Sequence, residues 1–393
     1  MEGVMSDAFI TNPVGILAVL TGVTSFFFFL EKQTGWKLFN YFPPLLFIYA
    51  LPLIMSNTGV IAGKSEVYGW MGDVILPLFL TIMLLDVDVG RAFKTMGKGI
   101  FVLFFGTAGV MIGAPIAYFL VKGGLGPEAW KGFGALAGSW IGGTGNMAAV
   151  SEGLKTSGTD FGLAVLGDNL VYIVWLPIML GSKNLAKWFH KFTKVSDARL
   201  KQMETEASTM TMDKGKMEMR HILYLLFLGL LVAWASSYIS QFLPMIPPVL
   251  TSGSWKILLV TTFGIGLSFT PAKRIPGSHA LAMALVYLFV ANMGARAEVA
   301  GLAHQAVWFV GGAFIWIFIH GGFCVLGAKI LKVDVHTTAI ASAANIGGAA
   351  SAPIVAAYHN ELLVPASILM ALIGYAIGNY CAFATAWLCY FVS

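Results

Sequence analysis

The sequence predicts an all-α integral membrane protein with about 11–13 transmembrane helices in two similar halves. Three observations carry this expectation. The 393-residue chain is 58% hydrophobic and only 11% charged, with a mean hydropathy of +0.79, whereas soluble proteins hold about 25% charged residues. Apolar stretches long enough to cross a ~30 Å hydrocarbon layer, which takes about 20 helical residues, recur along its whole length. Each half also contains one Ile-Gly-Gly segment set among small, hydroxyl and amide residues.

Taken in order, the first apolar stretches are Pro13–Leu30, Pro43–Ile61, Tyr68–Asp86, Gly99–Val121, Phe133–Glu152 and Phe161–Leu180. A hydrophilic segment, Ser182–Arg220, follows. Then come Ile222–Leu243, Trp255–Phe269, His279–Met293, Val307–Ile330, Thr337–Tyr358 and Leu362–Phe391. The stretches lack the period-two alternation of barrel strands, so helices must satisfy the backbone in lipid. No basic n-region precedes the first stretch, so no cleavable signal peptide is expected.

The hydrophilic segment carries Lys183, Lys187, Lys191, Lys194, Arg199, Lys201, Lys214, Lys216 and Arg220. Basic loops stay in the cytoplasm, so the expected organisation is an N-terminal membrane repeat (1–181), a cytoplasmic linker (182–220) and a C-terminal membrane repeat (221–393). The net charge of +5 is therefore a topology signal and not a nucleic-acid footprint. Cys324, Cys381 and Cys389 lie in apolar stretches, with neither disulfide nor metal spacing.

The halves match at Gly138-Ser-Trp-Ile-Gly-Gly-Thr-Gly-Asn-Met-Ala-Ala-Val150 and Ala343-Ala-Asn-Ile-Gly-Gly-Ala-Ala-Ser-Ala-Pro-Ile-Val355. Looser matches pair Gly167-Asp168-Asn169 with Gly378-Asn379-Tyr380, and Leu76-Pro77-Leu78-Phe79 with Leu285-Val286-Tyr287-Leu288-Phe289. A parity conflict follows. Inverted repeats need an odd number of crossings between equivalent helices, yet the Ile-Gly-Gly stretches stand six apart. Simple alternation also puts Lys32, Lys37, Arg91, Lys94 and Lys98 on the face opposite Lys273, Arg274, Lys329 and Lys332. The conflict disappears if a stretch fails to cross, or if two are wrongly split or merged.

Glycine pairs in mid-membrane expose backbone that lipid tolerates only beside a polar cavity. Paired interruptions in two halves mark the midplane site of a secondary transporter; close packing through small residues also uses glycine. Expected substrate-binding residues are Trp140, Gly142, Gly143, Thr144, Gly145, Gly347 and Gly348. Expected cation or proton coupling residues are Asn146, Asp168, Asn169, Ser342, Asn345, Ser351 and Asn379. Sodium takes hard oxygen ligands, and Thr144, Asn146, Asn345 and Ser351 supply them. Asp168 matters most, because an ionisable group at a helix centre costs about 2.5–3.5 kcal/mol and usually marks an ion path. His320 reads equally as a satisfied core histidine or a proton relay. His336, His359, Glu152, Asp86, Asp88, Arg296 and Glu298 fall near helix ends, where interfacial solvation is the default. No hydrolase, zinc-protease or phosphate-loop motif is present, so neither an enzyme nor ATP-driven transport is expected, and no cofactor beyond a sodium ion.

The two glycine motifs resemble those of the YjcL-like membrane proteins, a family defined by domain of unknown function 819. That family is similar to bile-acid/sodium symporters, sodium/glutamate symporters and cation/proton antiporters. The resemblance implies a panel domain, which also serves dimerisation, and a core with two crossing broken helices. It further implies elevator-type alternating access in a multi-pass protein of the plasma (bacterial inner) membrane. Asp168-Asn169 stands where the antiporters carry a paired Asp-Asp or Asn-Asp, with the order reversed. Leu76-Pro77-Leu78-Phe79 with Asp86 and Asp88 is similar to the antiporter helix entering the core, without its Gly-Leu-Glu pattern. The expected function is sodium-coupled symport of a small organic anion. The alternatives are a cation/proton antiporter using Asp168, then a channel or a membrane-embedded enzyme or receptor. The expected partners are a small solute, Na+ or H+, lipid, and a second copy in a homodimer.

Overall fold

The computed structural model describes residues 8–36, 39, 44–195, 215–298 and 302–393, without the Leu302 side chain. Every described apolar stretch is helical. The first half holds α1 (Pro13–Thr34), α2 (Pro44–Asn57), α3 (Glu66–Leu84, with a π-helical turn at Met71–Ile75), the short α4 (Val89–Met96), α5 (Gly99–Val121), α6 (Ala129–Gly153), α7 (Gly158–Gly181) and the short α8 (Ala186–Thr193). The second holds α9 (Met219–Ile239), α10 (Ser252–Ser268), α11 (Ser278–Ala295), α12 (Leu302–Leu331), α13 (Val335–Ile346), α14 (Gly348–His359) and α15 (Val364–Phe391). Among the described residues, eight helices are long and apolar enough to cross a membrane, and α2 is a shorter apolar helix. Arg199, Lys201 and Lys214 of the linker, and Lys37, lie outside the described residues.

Local chemistry sets the helix ends. Asn12 accepts a bond from Gly15 N at 2.6 Å ahead of Pro13, and Gly35 closes α1 in the left-handed region, a cap that glycine supplies without strain. Ser157 caps α7, accepting from Asp160 N at 3.0 Å, and Asp334 caps α13 through Thr337 N at 2.8 Å.

Contacts at helix ends define two faces. At the first face the start of α1 meets the end of α2 (Phe9 N to Gly59 O, 2.9 Å). There α2 also meets the end of α11 (Asn57 Nδ2 to Ala297 O, 2.8 Å), and the start of α10 meets α3 (Lys256 to Asp73, 2.9 Å). At the same face Lys122, after α5, donates to Val392 O beyond α15 at 2.7 Å. At the second face the end of α3 meets the start of α11 (Ser278 to Asp86, 2.6 Å). Lys183, after α7, donates there to Tyr358 O at 2.6 Å, and Lys329 at the end of α12 bonds Phe192 O.

The two glycine-interrupted stretches depart from expectation. They are hairpins that enter and leave by one face, not broken helices that cross. Gly138 packs on the backbone of Asn146 and Met147, where an added methyl would lie 2.9 Å from Asn146 O; in a straight helix these residues would stand roughly 13 Å apart at 1.5 Å per residue. The second stretch closes likewise, with His336 Nδ1 2.9 Å from His359 Nδ1. The first hairpin, α6, opens at the first face, where Ser254 donates to Gly153 O at 3.1 Å. The second, α13–α14, opens at the second face, where His359 Nε2 donates to Met179 O at 2.9 Å.

This removes the parity conflict. The helices that run from one face to the other are α1, α2, α3, α5 and α7 in the first half and α9, α10, α11, α12 and α15 in the second; α2 and α10 are shorter than the eight that are long and apolar enough to cross a membrane. Five of them separate corresponding elements, the odd number that an inverted repeat requires. Both basic sets, Lys94 and Lys98 with Lys273, Arg274, Lys329 and Lys332, now end at the second face alongside α8.

The helices pack into two groups. One, the scaffold, contains α1, α2, α3, α9, α10 and α11; the other, the core, contains α5, α7, α12, α15 and both hairpins.

Candidate functional site

The hairpin tips meet inside the core. Gly143 has φ 73° and ψ −178°, a region open essentially to glycine alone, and this residue turns the chain back. Gly348 has φ 58° and serves the second hairpin. A methyl built on Gly348 would lie 3.7 Å from Gly143 Cα, so the two turns touch. Tyr375 of α15 is laid over both: methyls on Gly143 and Gly348 would sit 3.1 and 3.2 Å from its ring. Its hydroxyl accepts from Ala349 N at 3.2 Å. The second limb of each hairpin therefore starts a helix at the meeting point, with its amide ends and positive dipole directed there.

Asn146 and Asn345 flank the tips. Asn146 is fully buried and donates to Tyr375 O at 3.0 Å. Asn345 is fully buried and donates to Thr107 Oγ1 at 3.1 Å. Among the described residues the side-chain carbonyl oxygen of each has no hydrogen-bond partner, an uncommon and costly state for a buried acceptor. Thr144 sits at the first tip, half-buried. Ser351 is buried, and the ring of Tyr172 of α7 lies against the second turn, 3.3 Å from where a methyl on Gly347 would sit.

Asp168 lies ten residues into α7, half-buried, and its carboxylate grips the first hairpin. Ser139 Oγ donates to Oδ2 and Trp140 Nε1 to Oδ1, both at 2.9 Å. Among the described residues no basic side chain pairs with it. Trp140 is thus fully buried and held by Asp168, one turn away from the glycines.

Three expected residues lie elsewhere. Asn169 donates to Val165 O within its own helix at 2.8 Å. Asn379 turns to the scaffold and donates to Thr261 of α10 at 2.8 Å. Counted from the helix start, Gly374 and not Asn379 stands level with Asp168. Ser342 belongs to a closed chain: Trp175 Nε1 donates to its oxygen at 2.9 Å, and its hydroxyl faces His320 Nε2 at 3.0 Å. His320 Nδ1 meets Gly106 O at 2.9 Å, so the proton sits on Nδ1 and Nε2 accepts. This histidine is a satisfied core group.

Sequence reasoning missed Tyr375, Tyr172 and Ser139. The available signal was Gly374 and Gly378, four apart on α15. A methyl on Gly378 would lie 2.9 Å from Gly142 Cα, and one on Gly374 would collide with Ile141 O. These glycines bring α15, and Tyr375 between them, onto the first hairpin.

Comparison with known proteins agrees with the membrane architecture. The chain is 24% identical over 339 residues to the uncharacterized membrane protein YjcL of Bacillus subtilis (strain 168), covering 84% of this chain and 85% of that protein. Residues 16–390 match the family described as "Protein of unknown function (DUF819)". Nearly the whole chain lies within that match, and the protein belongs to this family of multi-pass membrane proteins.

Proposed function

We propose that the protein is a secondary active transporter that binds a small organic anion and sodium where the two hairpin tips meet. The observation that carries this is the meeting of Gly143 and Gly348, brought in by hairpins from opposite faces. Non-helical backbone at membrane depth survives only where protein or a polar cavity surrounds it. Paired interruptions, one in each half, support a binding site at the midplane. Two helix N-termini favour a negative solute group without any basic side chain. The unpartnered oxygens of Asn146 and Asn345 suit a hard cation. By the excess of basic residues, the second face is cytoplasmic, and the core carries the tips across the scaffold as an elevator.

The test is a thermal-stability screen of the purified protein against small carboxylates, amino acids and other organic anions, with sodium or potassium as the salt. A ligand that binds only the folded state raises the melting temperature with its concentration. A solute that stabilises only with sodium supports symport. Stabilisation by no anion under either salt removes the anion-symport reading. Asp168, half-buried without a basic partner, favours one competitor, a cation/proton antiporter; proton efflux driven by sodium without solute identifies it.

A further inference from the structure

The two hairpins are built alike but covered unequally. With Ile141 aligned on Ile346, Gly145, Ala149, Glu152 and Gly153 of the first hairpin correspond to Ala350, Ile354, Ala357 and Tyr358 of the second. In the first hairpin this stripe is covered, with only Glu152 partly open. Its contacts run to the scaffold. A methyl on Gly145 would meet Met83 Sδ of α3 at 2.9 Å and Val286 of α11 at 3.6 Å. Glu152 lies over Gly72 of α3 and bonds Arg296, just after α11, at 2.9 Å. A methyl on Gly153 would meet Phe383 of α15, within the core, at 2.7 Å and Ile257 of α10 at 3.4 Å. In the second hairpin all four equivalents are exposed, Ile354 by 53% and Tyr358 by 51%.

The scaffold supplies the matching surface. Phe79 of α3 and Phe289 of α11 occupy equivalent places in the repeat, and their rings meet 5.9 Å apart. On that register Met83 corresponds to Met293, and Val286 to Leu76. Each half of the scaffold therefore carries the counterpart of the surface that now covers the first hairpin.

We propose that the bare stripe Ala350, Ile354, Ala357 and Tyr358 is the surface that the scaffold of the same chain covers in the opposite end state. The core moves toward the first face until Ala350 rests against Met293 and Leu76, as Gly145 now rests against Met83 and Val286. The present structure is then the state open to the second, cytoplasmic face. This inference rests on the transporter reading, and specifies which surfaces it exchanges.

Two double variants of the full chain in proteoliposomes test it: Gly145→Cys with Met83→Cys, and Ala350→Cys with Met293→Cys. Each is exposed to mercuric ion, and mass spectrometry identifies the joined peptides, so the native cysteines remain. Both pairs are expected to lose their free thiols to a bridge within one chain, and bridging the first pair beforehand in a quadruple variant should prevent the second. If the Met293 variant fails to fold, Leu76→Cys takes its place. A folded protein in which only the Gly145–Met83 pair bridges would overturn the proposal. So would bridging of Ala350→Cys to a second copy, which would make the stripe a dimer interface. If both pairs bridge while no solute or ion moves, the surface exchange stands and the transporter reading fails.

Discussion

Replacing Asp168 by Asn separates its structural role from a coupling role. The amide can keep both contacts: its oxygen accepts from Trp140 Nε1, and its NH2 donates to Ser139 Oγ, whose hydroxyl turns to suit. A bond to a charged group is worth about 1.5–3 kcal/mol and a neutral one about 0.5–1.5, so two exchanges cost about 2–3 kcal/mol. Removing a charge from mid-membrane returns about 2.5–3.5 kcal/mol, less the smaller cost of the amide. These nearly cancel, so Asp168→Asn should fold with stability within about 1 kcal/mol of wild type. Asp168→Ala loses both bonds, about 3–6 kcal/mol on the same scale before the same return, and should be the less stable variant. The assay is sodium-dependent thermal stabilisation in detergent across a pH series, with uptake in proteoliposomes. Protons and sodium compete for a coupling carboxylate, so wild-type sodium affinity should fall as pH falls, and the Asn variant should lose both the pH dependence and coupled transport. A wild-type response flat with pH, together with an Asn variant that still transports, would leave Asp168 as a clamp on the first hairpin and nothing more.

Other positions give independent checks. Gly143→Ala forces a side chain into a glycine-only region and against Tyr375, and should destabilise by about 1–3 kcal/mol; Gly22→Ala, in open space within α1, should be neutral or stabilising by up to about 1 kcal/mol in the same melts. Asn146→Ala and Asn345→Ala should each weaken sodium-dependent stabilisation, and an unchanged sodium response in both would remove the cation site from the tips. The His336–His359 contact holds one proton between its two Nδ1 atoms, since His359 Nε2–H already serves Met179 O. Acidification that protonates both rings must break it, so hydrogen exchange across residues 336–340, taken relative to the intrinsic amide rate, which itself falls with pH, should rise as pH falls in wild type and show no pH step in His336→Phe.

The membrane architecture was legible because composition alone decides it: an 11% charged chain has no way to solvate a folded surface. Ile141-Gly-Gly143 and Ile346-Gly-Gly348 were legible as interruptions because Thr144, Asn146, Asn345, Ser342 and Ser351 cluster with the glycines, which helix packing through small residues alone does not require. The hairpin form was not. A broken helix that crosses and a hairpin that returns both need two apolar limbs around a flexible turn, and one sequence serves either. The discriminating sign lay in the loops. Only if the first stretch turns back do Lys94 and Lys98 share a face with Lys329 and Lys332, which both precede the second stretch. Tyr375 and Ser139 were invisible for another reason: each is an ordinary residue of an apolar helix until the fold sets it against Gly143 or Asp168.

Which contacts hold and which slip follows from where the glycines lie. Methyls on Gly109 and Gly113 of α5 would lie 2.7 Å from Phe323 and 2.6 Å from Trp316 of α12, so these two helices meet almost backbone to backbone. Gly374 and Gly378 do the same between α15 and the first hairpin. Interfaces this close have no room to slide, because a shift of one residue drives a side chain into a space only glycine fits. Core and scaffold meet largely through side chains: Met83 is a flexible side chain, Arg296–Glu152 is a partly exposed ion pair, worth about 0–1 kcal/mol, and a backbone-close contact is made at the first face, where Gly158 of α7 lies against Ala297. On the proposed transporter function, the cheapest motion would keep both hairpins, α5, α12 and α15 together as one body and break the contacts of Gly145, Glu152, Gly153 and Gly158 with the scaffold. The tips at Gly143 and Gly348 would travel with that body, so a solute bound between them would change face without the hairpins parting.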